Sequence, residues 1–174
     1  MRSLKVVVTG PSGSGKTAFI RSVSEIAVLS TERQLPDGKG TGGESTVVMD
    51  FGRITVSDDI VVYLFGTPAQ DRSPAMWETL ADGLLGFVVL VDMTDRASLL
   101  EGAQAVALLA ASPEAPFVVG LSRVEPRDRG REEDGRRTLG VPPGVPVLGL
   151  DTRQRHDVRD VLLALMGQVL QTVG

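Results

Sequence analysis

The sequence predicts an α/β fold with six mostly parallel strands, the second of them antiparallel, and helices on both faces of the sheet. Three observations predict it. Short apolar runs alternate with stretches of helical period along all 174 residues. The segment Gly10-Pro11-Ser12-Gly13-Ser14-Gly15-Lys16-Thr17 joins an apolar run to an amphipathic stretch. Farther on, Val47 to Phe51 and Ile60 to Phe65 flank Ser57-Asp58-Asp59 as the two arms of a hairpin would. With no internal repeat and no linker, residues 1–174 read as one domain.

The first strand is Val6-Val7-Val8, ending at Thr9, and Phe19, Ile20, Val23, Ile26 and Ala27 then mark one face of a helix. Ser30 to Glu44 is polar and rich in Gly, with too little apolar material to pack, and is expected to be a mobile loop. Val47 to Phe51 alternates like an edge strand, and Gly52 shifts the parity as a bulge would. The run Ile60 to Phe65 follows, then a short helix over Arg72 to Leu80 that carries the one tryptophan, Trp77, read as core packing.

Leu84 to Val91 is a buried strand, and Leu99, Leu100, Ala103, Val106, Ala107 and Ala110 form the stripe of the next helix. Phe117 to Leu121 and Val145 to Leu150 are the last strands, and Val158, Val161, Leu162, Leu165, Met166 and Val169 face the core from the closing helix. Between them, the charge-rich segment Pro126 to Leu139 reads as a solvated short helix and loop. The total is six strands and about five helices. Strand ends, where ligands sit in such sheets, carry Thr9, Gly66, Asp92, Ser122 and Asp151.

The segment from Gly10 to Thr17 satisfies G-x-x-x-x-G-K-[ST], a phosphate-binding loop. Its glycines let the backbone N–H groups of Gly10, Ser12, Gly13, Ser14 and Gly15 curl toward an anion, and Lys16 reaches the terminal phosphates from the start of the helix. Thr17 places a hydroxyl on Mg²⁺. His156 lies between Arg155 and Asp157 and reads as solvent-facing, and no cluster with metal-ligand spacing or catalytic triad is present.

Without cysteine the chain has neither disulfides nor a thiolate site, which fits a reducing cytoplasm. A formal net charge of -4 argues against broad nucleic-acid affinity. Arg2 excludes N-myristoylation, no prenylation cysteine or signal-peptide core is seen, and no apolar run reaches membrane-spanning length, so no direct membrane anchor is expected.

Ordered this way, the chain resembles the Ras-like P-loop small GTPases over essentially its full length. Thr46-Val47-Val48-Met49-Asp50-Phe51-Gly52-Arg53-Ile54 and Leu64-Phe65-Gly66-Thr67-Pro68-Ala69-Gln70-Asp71-Arg72 are similar to the bacterial conservon-type GTPases, kin of the gliding-motility Mgl-type branch. The resemblance implies a GTP/GDP switch with Mg²⁺ held by Thr17 and Thr46, Gln70 orienting the attacking water, and a Roadblock-fold regulatory partner. Thr46 matches the threonine that senses the γ-phosphate.

The chain departs from that family in three places. Gly66 stands where most relatives carry an Asp that holds Mg²⁺ through water, with Asp92 a candidate substitute. Ala69 replaces a glycine whose N–H meets the γ-phosphate; Ala keeps the N–H and loses the left-handed range. Ser122-Arg123-Val124-Glu125 stands for Asn-Lys-x-Asp, so Glu125 is the acceptor for the paired guanine donors. Asp151-Thr152-Arg153 aligns with the loop whose backbone N–H reads the base carbonyl. These features leave three readings: a slowly hydrolysing regulatory GTPase, a nucleotide-binding interaction module with negligible turnover, and a P-loop kinase with residues 127–137 as its lid.

Overall fold

The computed structural model describes residues 1–36, 44–67, 81–112 and 116–174, with backbone alone over 31–36 and 44–48. Its strands are β1 (Arg2–Thr9), β2 (Leu29–Pro36), β3 (Glu44–Ser57), β4 (Ile60–Gly66), β5 (Leu84–Asp92), β6 (Phe117–Ser122) and β7 (Val147–Leu150). They make one sheet in the order β2-β3-β4-β1-β5-β6-β7. Every pair from β4 to β7 is parallel, whereas β2 with β3 and β3 with β4 are antiparallel. The described helices are α1 (Lys16–Val23), α2 (Arg96–Ala110), α3 (Arg129–Leu139) and α4 (Arg155–Val173). The helix expected at Arg72 to Leu80, with Trp77, lies outside the described residues.

Alternation along the central strands sends successive side chains to opposite faces. Val6, Val8, Val88 and Leu90 pack with Phe19 and Ile20 of α1 and with Val158, Val161 and Leu165 of α4. Val7, Phe87, Val89 and Val91 pack on the other face with Val106 and Leu109 of α2 and Leu139 of α3. Truncating a fully buried Leu such as Leu165 in such a layer costs about 2–5 kcal/mol. Because β4 and β5 flank β1 on opposite sides, the chain reverses its direction of travel across the sheet there, and a crevice opens above the carboxyl ends of β1 and β5.

Four sequence expectations are corrected. The sheet has seven strands because Leu29–Pro36, expected from Ser30 onward to be part of a mobile loop, pairs with β3 at eight positions from Leu29↔Phe51 to Pro36↔Glu44. An edge strand is held by its backbone ladder and needs no apolar face, so a polar sequence conceals it, and Pro36 sits where the ladder ends. It follows that Val47 to Phe51 is an inner segment, not an edge.

The irregularity in β3 falls between Thr55 and Ser57, not at Gly52. Gly52 serves close packing, since a Cβ there would come within 2.5 Å of Ile20 Cγ2. Finally, α1 stops at Val23 and leaves out Ile26 and Ala27. Competing bonds explain the stop: Ser24 Oγ accepts from Arg53 N at 3.1 Å, and Glu25 N donates to Arg53 O at 2.8 Å. The Glu25 carboxylate then accepts from Thr55 N at 2.7 Å and Thr55 Oγ1 at 2.9 Å, which holds its carboxyl below the usual range.

The charge-rich segment does form a short helix, α3, capped by the Asp128 carboxylate on Arg131 N at 3.1 Å. Two of its charges do more than face water. Glu132 Oε1 accepts from Gly149 N at 3.0 Å, and Arg136 donates to the carbonyls of Pro142 and Val145 at 2.9 and 2.7 Å. No helix among the described residues is long and apolar enough to cross a membrane.

Candidate functional site

The loop after β1 owes its path to glycines. Gly10 has φ +139°, and a Cβ there would lie 2.1 Å from Leu90 O, so the loop can cross β5 only without a side chain. Gly15 has φ +99° and forms the left-handed N-cap of α1 with no side chain capping it. The first amides of α1 therefore remain open to an anion. Ser14 is buried in this loop, and its Oγ has no hydrogen-bond partner in the described structure. An orphaned buried hydroxyl beside open amides fits a phosphate oxygen. Ser12 is exposed at the outer turn.

Lys16 folds back over the loop and donates from Nζ to Gly10 O at 2.5 Å and Pro11 O at 2.9 Å. Burial lowers its ammonium below the ordinary lysine value, against the raising influence of the Asp50 and Glu101 charges. The next residue, Thr17, donates its hydroxyl to Asp50 Oδ2. The hydroxyl and carboxylate oxygens gathered there are the hard donors that Mg²⁺ prefers.

A cavity of about 710 Å³ adjoins the loop. Gly13, Ser14 and Gly15 form one wall, residues 122–126 a second, and residues 150–154 with His156 and Asp157 a third. The structure thus joins the phosphate loop, Ser122-Arg123-Val124-Glu125 and Asp151-Thr152-Arg153 around one space of the size that mononucleotide sites occupy. Of the remaining sequence candidates, Thr46 is described in its backbone alone, in β3 opposite Gln34. Its Cα lies about 13 Å along the strand from Asp50. Ala69 and Gln70 fall outside the described residues.

The loops of the second and third walls are held by their own side chains. Arg123 adopts φ +62°, unusual for a non-glycine residue, and its Nε lies 3.0 Å from Asp92 Oδ2. The same carboxylate accepts from Thr94 N at 2.8 Å and Thr94 Oγ1 at 2.7 Å, so Asp92 closes a turn as well. Arg153 Nε and Nη2 donate to the two oxygens of Asp151 at 3.0 and 3.1 Å; this pairing holds the Asp151 carboxyl below the usual range and raises the guanidinium. Thr152 packs on the phosphate loop, with its carbonyl accepting from Ser22 Oγ.

Two residues of the site escaped the sequence reading. Asp157 is buried and accepts from Asp151 N at 2.9 Å, which fixes the third wall, while its other oxygen lies 3.1 Å from the exposed His156. Asp50, in β3, accepts from the Thr17 hydroxyl at the start of α1. Their sequence signals were weak: one is a charge in a helix's first turn, the other the polar partner in a strand's alternation.

The chain is similar to the biotin transport ATP-binding protein BioM of Rhizobium etli, at 32% identity over 103 residues, 53% of this chain and 45% of that protein. The matched chain therefore spans less than half the length of that relative. A family model described as conserved hypothetical ATP binding protein matches residues 30–166, which begin beyond the phosphate loop and include the second and third walls of the cavity. Matched over more than half its length, the chain belongs to this nucleotide-binding P-loop family of conserved hypothetical ATP binding proteins.

Proposed function

We propose that the protein is a nucleotide-dependent switch of the Ras-like kind, in the branch that resembles the conservon-type and Mgl-type bacterial GTPases, binding GTP and GDP and hydrolysing GTP slowly. The observation that carries this reading is the single cavity shared by the phosphate loop and the Ser122 to Glu125 segment. Lys16 would leave the carbonyls of Gly10 and Pro11 for the β- and γ-phosphates, while Ser14 Oγ and the α1 amides take phosphate oxygens. Bound Mg²⁺ would neutralise phosphate charge, held by Thr17 and, in the triphosphate state, by Thr46 once it had moved in from its place opposite Gln34. Ala69 N–H would meet the γ-phosphate, and Gln70 would orient the attacking water. A Roadblock-fold protein is the proposed regulatory partner, and the cytoplasm the proposed compartment.

Glu125 would choose guanine, because a carboxylate accepts from the ring N–H and exocyclic amino group that adenine does not present together. The family's description favours a second reading in which the same cavity takes ATP. Competition titrations of GDP against ADP separate them. We expect GDP to bind at least about tenfold tighter, about 1.4 kcal/mol, with the preference lost in Glu125→Ala. Tighter ADP binding would establish the adenine reading instead. Phosphate release from GTP over many turnovers, slowed about tenfold or more in Gln70→Ala, tests the hydrolytic step; no release by wild type would leave a binding module.

A further inference from the structure

The carboxyl end of β4 carries no side chain where Thr17 needs an acceptor. Gly66 closes that strand and stands opposite Asp50 in the antiparallel register of β3 and β4. The Asp50 carboxylate occupies the corner: Oδ2 accepts from Thr17 Oγ1, and Oδ1 accepts from Ser30 Oγ at 2.9 Å. The two positions crowd each other. A Cβ at Gly66 would sit 3.2 Å from Asp50 Cβ and 2.9 Å from Ile20 Cδ1, so a second carboxylate could enter only if Asp50 and Ile20 moved. Asp92 is engaged elsewhere, by Thr94 and Arg123.

A hydroxyl that ligates a metal through its lone pair must turn its proton toward another acceptor. Asp50 Oδ2 already accepts that proton. We propose that Asp50, reaching in from β3, is the positioning residue for the nucleotide's Mg²⁺: it aims the Thr17 oxygen at the metal and presents the neighbouring carboxylate that β4 lacks. The Ser30 hydroxyl fixes its rotation, so the start of β2 becomes part of the metal's surroundings. This inference rests on the nucleotide reading and adds to it a carboxylate from an unexpected strand.

The test uses the full chain and measures GDP and ADP affinity by calorimetry, in Mg²⁺ and in EDTA. For wild type, Mg²⁺ should tighten the better-bound nucleotide about tenfold or more. In Asp50→Asn, which is isosteric and still accepts from Ser30, that gain should fall at least fivefold while the EDTA affinity stays within twofold. Asp50→Glu keeps the charge and should retain more of the gain than Asn; it carries the test if the Asn variant does not fold. Mn²⁺ in place of Mg²⁺, followed by electron paramagnetic resonance, should show weaker metal retention in Asp50→Asn at saturating nucleotide. Equal losses with and without metal would make Asp50 merely structural and overturn the proposal. So would an unchanged gain, or a gain abolished by Asp92→Asn and not by Asp50→Asn. A wild type that binds neither nucleotide in either condition would overturn the nucleotide reading itself.

Discussion

At the phosphate-loop end the cavity is lined by backbone amides set by glycine dihedrals, whereas at the opposite end it is lined by loops held by side chains that grip one another. Gly10 and Gly15 can adopt φ of +139° and +99° because they lack a Cβ, and α1 starts with its amides uncapped. On the other side, Arg123 is held in a left-handed conformation beside Asp92, Arg153 grips Asp151, and Asp157 fixes the Asp151 amide. The difference explains why one end follows a familiar pattern and the other departs from it. Backbone geometry tolerates few substitutions, while a wall made of paired side chains can be rebuilt from different pairs.

The largest effect should come from breaking the phosphate end alone. In Lys16→Ala the loop keeps its glycines and loses its cation, and nucleotide affinity should fall at least about hundredfold by calorimetry. The melting temperature should move little, because the ammonium's partners are two carbonyls of its own loop and its burial already disfavours the charged form. An unchanged affinity would remove the phosphate loop from the account.

Gly15→Ala strikes where the two ends meet. Its Cβ would fall 2.8 Å from Thr152 Oγ1 and 2.9 Å from Thr152 Cγ2, in addition to the left-handed penalty of about 1–2 kcal/mol. Thermal unfolding should drop by about 4 °C or more. Adding Thr152→Ala removes the two closest atoms and should return part of the loss. A single variant as stable as wild type would mean that the ends are not packed against each other.

The smallest effect sharpens the opposite end. Arg123→Gly loses an ion pair whose guanidinium side is 68% exposed and worth little, and also relieves the positive φ. Urea unfolding should place it within about 1 kcal/mol of wild type. Arg123→Ala keeps the dihedral penalty and should be about 1 kcal/mol less stable than the glycine variant. Equal stability of Gly and Ala at this position would show that the conformation is not strained.

How far the chain could be read in advance differs from element to element. The phosphate loop, the hairpin of β3 and β4 and the buried strands β5 and β6 were legible because each rests on local pattern: glycine spacing, a turn, or a continuous apolar run. β2 was hidden because its stability lies in a ladder to residues 44–51 and its side chains carry no apolar alternation. α1 was read too long because the bonds that stop it come from β3, some thirty residues away.

The same division governs the site. Residue order alone dictated an anion cradle after β1, since its glycines, its lysine and the start of α1 are neighbours in the chain and act through their own backbone. Only the folded sheet decided which carboxylate stands by Thr17. Gly66 and Asp50 are neighbours across a strand pair and not along the chain, Gly66 itself brings no carboxylate, and Asp92 is claimed by Thr94 and Arg123. Strand register sets such choices, and register depends on contacts between segments that a linear pattern does not record.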